Sequence, residues 1–465
     1  MKIRLGRKTL MLGTVTTLLL VGLGIAVATV AGIAGWEFSN SDKFCAVMCH
    51  SVHPEESASH DTGPHARVHC VECHMGRTST LHQMALKPTH VKELWGMIAG
   101  YERPIASSTL RPSREACESC HWPSAEHHDS IALKVHYDND AASSETKTKI
   151  ILHTGFGALR EGTSKGIHWH IVNDVSFISL DQQRREIPWV QVKKPDGKTV
   201  TYVDAESKAT AQQIAAQEPR RIACYDCHNA VGHPFPNPGV VVDDAIGTGK
   251  IDRTLPNAKA RAVALINGVG ELSGETSARA AAIDKLIVEQ SAKAGTKAED
   301  KAKEQKFNAA MKDILLNATF SEKGITWKTF PQHTGHSETP GCFRCHDGKH
   351  FNDKGEAIRL QCTLCHALPQ VTKEKGKGSV TSTVQAGLEP PDSHSEPNFM
   401  HEHRMKIDKT CEMCHGKLAF GSEGGNFCSN PACHGRTYPG LNLNAEPKKA
   451  EAPKSEPQKP EAKKT

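Results

Sequence analysis

One long apolar run stands at the head of an otherwise polar chain. Thr9 to Trp36 contains no charged residue over 28 positions and is rich in Leu, Val, Ala and Gly. Lys2, Arg4, Arg7 and Lys8 precede it. A bilayer is crossed by about 20 such residues, whereas the apolar part of a cleaved signal peptide is about 7–15. The run therefore predicts an uncleaved membrane anchor, although its Ala/Gly-rich end would offer a cleavage site. The basic flank keeps the N-terminus in the cytoplasm. No second run of this kind follows. Further along, apolar residues return every three or four positions in Pro256 to Ile266, Thr276 to Ala292 and Glu299 to Ala318, as at Ala280, Ile283, Leu286 and Ile287. These stretches predict helices, with Thr276 as an N-cap. Alternation from Trp189 to Val203 around Pro195-Asp196-Gly197 predicts a β-hairpin. Gly166-Ile-His168-Trp-His170-Ile places two histidines on one side of an extended strand, where they ligate a cofactor or line its edge.

The cysteines change this picture. All sixteen fall into eight clusters ending in Cys-His. Six have two intervening residues: Cys70/Cys73/His74, Cys117/Cys120/His121, Cys224/Cys227/His228, Cys342/Cys345/His346, Cys362/Cys365/His366 and Cys411/Cys414/His415. Two are stretched, Cys45/Cys49/His50 by one residue and Cys428/Cys433/His434 by two. Cysteine pairs at this spacing also build zinc ribbons, but those have no use for a histidine after every second cysteine. The pattern is that of c-type haem attachment, with two thiols adding to the vinyl groups and the histidine ligating iron. Eight covalently bound haem c groups are expected. No cysteine remains for a disulfide or a catalytic thiol.

At 465 residues, with 38% hydrophobic and 5% aromatic content and a mean hydropathy of −0.47, the chain has little apolar material for a side-chain core. Haem faces are expected to take that place. The predicted fold is mainly α with much irregular structure, a multihaem cytochrome c with one N-terminal transmembrane helix and a small β-hairpin insertion. A net charge of +5 with both signs mixed gives no case for nucleic acid. Of the 27 histidines, eight sit in the motifs and nineteen remain, enough to supply a second axial ligand to every haem.

Residues 37–240 resemble the NapC/NirT family of membrane-anchored tetrahaem quinol dehydrogenases. The resemblance rests on the single anchor, Phe44-Cys45…Cys49-His50, Cys70-Val-Glu-Cys-His74, Lys92-Glu93-Leu94-Trp95-Gly96, Cys117-Glu-Ser-Cys-His121 and Ala223-Cys224-Tyr-Asp-Cys-His228-Asn-Ala-Val-Gly-His233-Pro-Phe-Pro. It implies a quinol held beside the first haem at the membrane surface. Glu93 would receive its protons, with Lys92 close by, and glutamate here replaces the family's usual aspartate. His60, His136 and His233 match distal iron ligands of the family, whereas His65, His69, His82, His90, His127 and His128 match none. At the first haem the family's methionine is replaced by Val52, so His53, Met48 or no strong sixth ligand stay open.

The expected organisation is a cytoplasmic flank and anchor (1–36), a tetrahaem domain (37–240) interrupted by an insertion (138–220), a helical bridge (241–330), a C-terminal tetrahaem module (331–444) and a disordered tail (445–465). The C-terminal module resembles the extension of larger cytochromes of this type from metal-respiring bacteria. Its favoured distal ligands are His336 and His350, with His394, His401 and His403 as candidates for the last two haems and His333 as a structural residue. The function implied is a single-pass inner-membrane octahaem cytochrome with periplasmic haems. It would take electrons from menaquinol in the membrane pool and pass them to periplasmic cytochromes or reductases, after loading by the cytochrome c maturation machinery. Two alternatives remain: an electron-transfer subunit of a larger respiratory complex, and a terminal reductase. Every motif ends in histidine, not in the lysine that some octahaem reductases use, which weighs against the second.

Overall fold

The protein is described as a computed structural model covering residues 7–49, 54–90, 95, 99–100, 111–121, 129–155, 166–194, 196–367, 369–375, 378–382, 393, 396–408, 411 and 437–447. Helix α1, Arg7–Ser39, contains one segment, Thr14–Ser39, long and apolar enough to cross a membrane. Its Leu, Val and Ile side chains stand exposed along that length, as expected for a helix whose solvent is lipid.

Four helices form a packed module. They are α2 (Pro238–Gly247), α3 (Ala258–Val269), α4 (Thr276–Ala294) and α5 (Lys301–Ala318). Asn237 caps α2 by accepting the Gly239 N–H, with Pro238 in the first turn. Helix α4 begins one residue earlier than predicted: Glu275 is its N-cap and Thr276 its first residue. It stops at Gly295, whose φ of 59° suits glycine. Val242, Ile246, Ala262, Leu265, Ile283, Ile287, Phe307, Met311 and Leu315 meet inside the module. This side-chain core corrects the expectation that haem alone would fill the interior. The low average hydropathy hides it because the apolar residues are concentrated on single helix faces.

Strands are more extensive than a single hairpin. One sheet has the order β1-β2-β8-β9: β1 Ser130–Tyr137, β2 Glu145–Leu152, β8 Gln370–Lys375 and β9 Gly378–Ser382. The other runs β6-β3-β4-β5-β7: β3 Asp174–Ile178, β4 Trp189–Lys193, β5 Thr199–Asp204, β6 Arg220–Arg221 and β7 His350–Phe351. Every pairing is antiparallel, with Trp189 opposite Val203 and Lys193 opposite Thr199 across β4 and β5. Val175, Phe177, Ile187 and Val190 bury the inner face of this second sheet. Both sheets join strands from the 138–220 region to strands from the 331–444 region. Those two parts of the chain, placed in different domains from sequence, are hydrogen-bonded to each other.

Buried ion pairs fix the helical module to its surroundings. Lys259 Nζ lies 2.6 Å from Asp243 Oδ1, both side chains being almost fully buried. Asp243 also accepts the Tyr137 N–H of β1. Arg279 donates to Glu55 at 3.1 Å and to the Thr319 carbonyl, joining α4 to the helix Glu55–Thr62. Leu265→Ala in the module's core should cost about 2–5 kcal/mol. Val288→Ala, on an exposed position, should stay within about 0.5 kcal/mol. Denaturant unfolding of the haem-loaded protein checks both, and equal losses would show that the helices do not form a packed core.

Candidate haem-binding site

The attachment motifs fold as single turns. Cys70–His74, Cys224–Cys227 and Cys362–Cys365 are short helices and Gly341–Arg344 is a 3₁₀ turn, so both thiols of a motif project from one side. None of the described cysteines forms a disulfide. Burial lifts the thiols of Cys227, Cys345 and Cys365 to about 11, 12 and 12.

Five motif histidines each face a second imidazole. Ring centroids are 6.2 Å apart for His74 and His233, 6.1 Å for His121 and His65, and 6.3 Å for His228 and His168. The separations are 5.8 Å for His346 and His170 and 6.2 Å for His366 and His336. Two imidazole nitrogens bound across one metal at about 2.0–2.1 Å each place their ring centroids about 6.3 Å apart. The observed spacings match that distance.

Hydrogen bonds orient these rings. A backbone carbonyl meets Nδ1 of His65 (Val231, 3.1 Å), His168 (Thr154, 2.5 Å), His170 (Ile167, 2.7 Å), His233 (Glu56, 2.8 Å), His346 (Arg359, 2.6 Å) and His366 (Ala367, 2.7 Å). A carbonyl only accepts, so Nδ1 carries the proton and Nε2 the lone pair in each neutral ring. That tautomer is the one iron ligation needs. Burial and the neighbouring His170 push His346 down to about 4, which keeps it neutral. His336 is held differently: Phe343 stacks on its ring at 4.4 Å and Tyr438 meets it edge-on at 5.1 Å.

Successive motifs also lie near one another in chain order. The thiols of Cys45 and Cys70 share a hydrogen bond, which holds Cys45 down to about 7 and raises Cys70. Cys117 and Cys224 do the same, with Cys224 drawn down to about 6 and Cys117 raised. Cys73 lies within electrostatic reach of Cys120, Cys227 of Cys342, and Cys342 of Cys365. The attachment points of the first six motifs therefore form an unbroken run.

Several histidines named from sequence stand elsewhere. His350 is buried, with Nδ1 2.9 Å from Asp347 Oδ1 and Nε2 2.6 Å from the Ile187 carbonyl. Both partners accept, so both nitrogens donate, and the ring has no lone pair for iron. The Asp347 carboxylate accordingly helps to raise its pKa against the cost of burial. This corrects its expected role as a distal ligand. His136 is oriented by Asp243 at 2.9 Å and faces no described motif histidine. His60 is also 6.2 Å from His233, but its Nε2 meets the Val68 carbonyl at 3.1 Å. His401 gives Nδ1 to the Leu443 carbonyl, while its Nε2 is buried with no hydrogen-bond partner. His403 meets the Met400 carbonyl through Nδ1 at 2.8 Å. His333 is buried, with Nε2 2.8 Å from the Gln183 carbonyl.

His65 was set aside from sequence, whereas His168 and His170 were read as cofactor ligands or as residues lining its edge. His168 and His170 lie not on a strand but at the N-cap and second residue of the helical turn Trp169–Val172. Glu93, Lys92, His50, His53, His394, His415, His434, Cys414, Cys428 and Cys433 lie outside the described residues, as do the side chains of Met48 and Cys49.

A lysine that sequence reasoning passed over stands at the C-terminal end of α1. Lys87 Nζ lies 4.4 Å from the centre of the Trp36 ring and donates to Ser39 Oγ. Burial lowers its pKa, and Cys45 is within its electrostatic reach. The signal available in the sequence was its position after Cys73-His74, on the stretch that folds back to the anchor.

An apolar anchor, cysteine-histidine attachment turns and oriented imidazole pairs define a membrane-anchored multihaem c-type cytochrome working in electron transfer. The match to the NapC/NirT cytochrome c family, N-terminal region, spans residues 7–107. The chain is also 34% identical over 407 residues to the cytochrome c-type protein ImcH of Geobacter sulfurreducens, covering 86% of this chain and 77% of that protein. The chain belongs to the NapC/NirT cytochrome c family. No solved structure matches it.

The geometry predicts that His65→Leu and His168→Leu each convert one low-spin haem to high spin, while His350→Gln converts none. Electron paramagnetic resonance of the oxidised protein checks this. An unchanged low-spin population in the first two variants would refute the pairing.

Proposed function

We propose that the chain is a menaquinol-oxidising octahaem cytochrome of the inner membrane, handing electrons to periplasmic redox proteins. Haem c, once bound, supplies a one-electron iron couple at each motif. The residues of the chain set where each couple sits, which nitrogens ligate it and how buried it is. The observation that carries the reading is the run of neighbouring attachment cysteines, from Cys45 just beyond the anchor to Cys365. In this reading His233, His65, His168, His170 and His336 are the distal ligands of motifs two to six. His401 and His403 serve the last motifs, and His136, with its carboxylate-oriented ring, serves one outside the described residues.

The quinol would bind where the anchor meets the first motif. Oxidation of a quinol releases two electrons and two protons, so a base is needed beside the electron acceptor. Glu93 takes that role. Lys87, held between Trp36 and Ser39, is better placed than Lys92 to supply the cation at the membrane surface, because burial and its contacts tie it to the anchor's end. A positive charge there would draw the ionising quinol oxygen and lower the cost of removing its proton.

Glu93→Gln and Lys87→Ala, assayed in proteoliposomes with a menaquinol analogue, should slow haem reduction at least about tenfold, since positioned general bases contribute about 10²–10⁴. Reduction by dithionite should be unchanged. Unaffected rates in both variants would remove this site. A wild-type protein that only a partner can reduce would establish instead an electron-transfer subunit.

A further inference from the structure

The fourth and fifth motifs are locked together by buried charge. Asp226, the residue before Cys227, is buried and meets Arg184 Nη1 at 2.8 Å and Arg220 Nη2 at 3.3 Å. Arg344, the residue before Cys345, is also buried. Its guanidinium donates to three backbone carbonyls: Gly341 (2.9 Å), Arg184 (2.8 Å) and Asp226 (2.7 Å). Three guanidinium groups thus surround one carboxylate. The Tyr225 ring completes the cluster, with Arg184 5.4 Å and Arg220 5.6 Å from its centre.

The surplus of positive charge is felt locally. Arg344 stands between Cys342 and Cys345 and reaches the Asp226 carbonyl beside Cys227, so it lies among attachment points of both motifs. Burial and then Arg344 bring His333 down to about 4, Arg184 adding to the effect. His333 stays neutral and contributes no further charge. On the other side of the fifth motif, Asp347 is paired with His350 and Lys349, and Lys349 also faces Asp204 and Glu206. The acids there are matched largely by their own cations. No carboxylate other than Asp226 forms an ion pair with the three arginines among the described residues.

We infer that the Arg184–Arg220–Arg344 cluster raises the potentials at the junction of the fourth and fifth motifs above those of the neighbouring described motifs, so that electrons dwell there in transit. Reduction adds one negative charge at a ferric centre. Cations held beside a ferric centre favour the reduced form, and burial of Arg184 and Arg344 protects their field from screening. Arg344 acts as a positioning residue as well, since its three carbonyl contacts fix the two turns in register. The inference rests on haem attachment at Cys224/Cys227 and Cys342/Cys345 and is independent of quinol oxidation.

The test is a redox titration of the full-length, haem-loaded protein followed by visible absorption and electron paramagnetic resonance. Haem content is measured in parallel. His168→Met marks the fourth-motif component, because thioether ligation raises its potential. Arg220→Gln, at a half-exposed position, and Arg184→Gln remove charge; Arg220→Lys and Arg184→Lys retain it. In the glutamine variants the fourth- and fifth-motif components should shift toward the oxidised form at least tenfold at fixed ambient potential, which is about 59 mV for a one-electron couple. The lysine variants should stay within threefold of wild type. Unmoved components at full haem content would overturn the inference. So would equal shifts in lysine and glutamine variants, or a fourth-motif component at the low end of the wild-type titration.

Discussion

The arrangement depends on bringing an imidazole from one part of the chain to within about 6 Å of a motif histidine from another. A motif binds haem by itself, but it supplies only one axial ligand. The second must come from the tertiary fold, and it must arrive with the right nitrogen deprotonated. Backbone carbonyls from Val231, Thr154, Ile167 and Glu56 do this for His65, His168, His170 and His233. Val231, Thr154 and Ile167 lie in loops and turns and Glu56 in the first turn of the helix Glu55–Thr62, so mostly irregular backbone would form the outer shell of these centres.

The two sheets and the helical module are what make those arrivals reproducible. Strand β2 pairs with β8, and β5 with β7, so the region carrying His168 and His170 is tied to the region carrying His346 and His366. The helical module, with its own core, holds β1 through Asp243 and Tyr137 and holds the helix Glu55–Thr62 through Arg279. Buried pairs such as Lys259–Asp243 are costly to break because each partner would leave the other charged and dry. They fix orientation where side-chain area alone would allow sliding.

Much of the chemistry was legible in the sequence, and the geometry less so. Covalent attachment is a local property: Cys224, Cys227 and His228 must be adjacent, so spacing reveals them. A distal ligand is a long-range property. His65 reaches His121 only because the chain folds back, and nothing in its immediate neighbours marks it. Gly166 to Ile171 alternates like a strand, but Gly166 and His168 open a helical turn instead, and the period-two pattern there was coincidence. His350 follows a motif closely enough to look like a ligand. Its environment, a carboxylate on one nitrogen and a carbonyl on the other, is visible only in three dimensions. The hydrophobic core was underestimated because composition averages over the charged segments around it. Lys87 was overlooked in favour of Lys92 because contact with Trp36 and Ser39 depends on how the chain returns to the anchor.

The central claim is that the facing imidazoles are the axial pairs of the described motifs. An experimental map of the haem-loaded, membrane-inserted protein tests it most directly. The account predicts iron between His74 and His233, His121 and His65, His228 and His168, His346 and His170, and His366 and His336. Iron at these motifs ligated by other histidines, or zinc in place of haem, would contradict it.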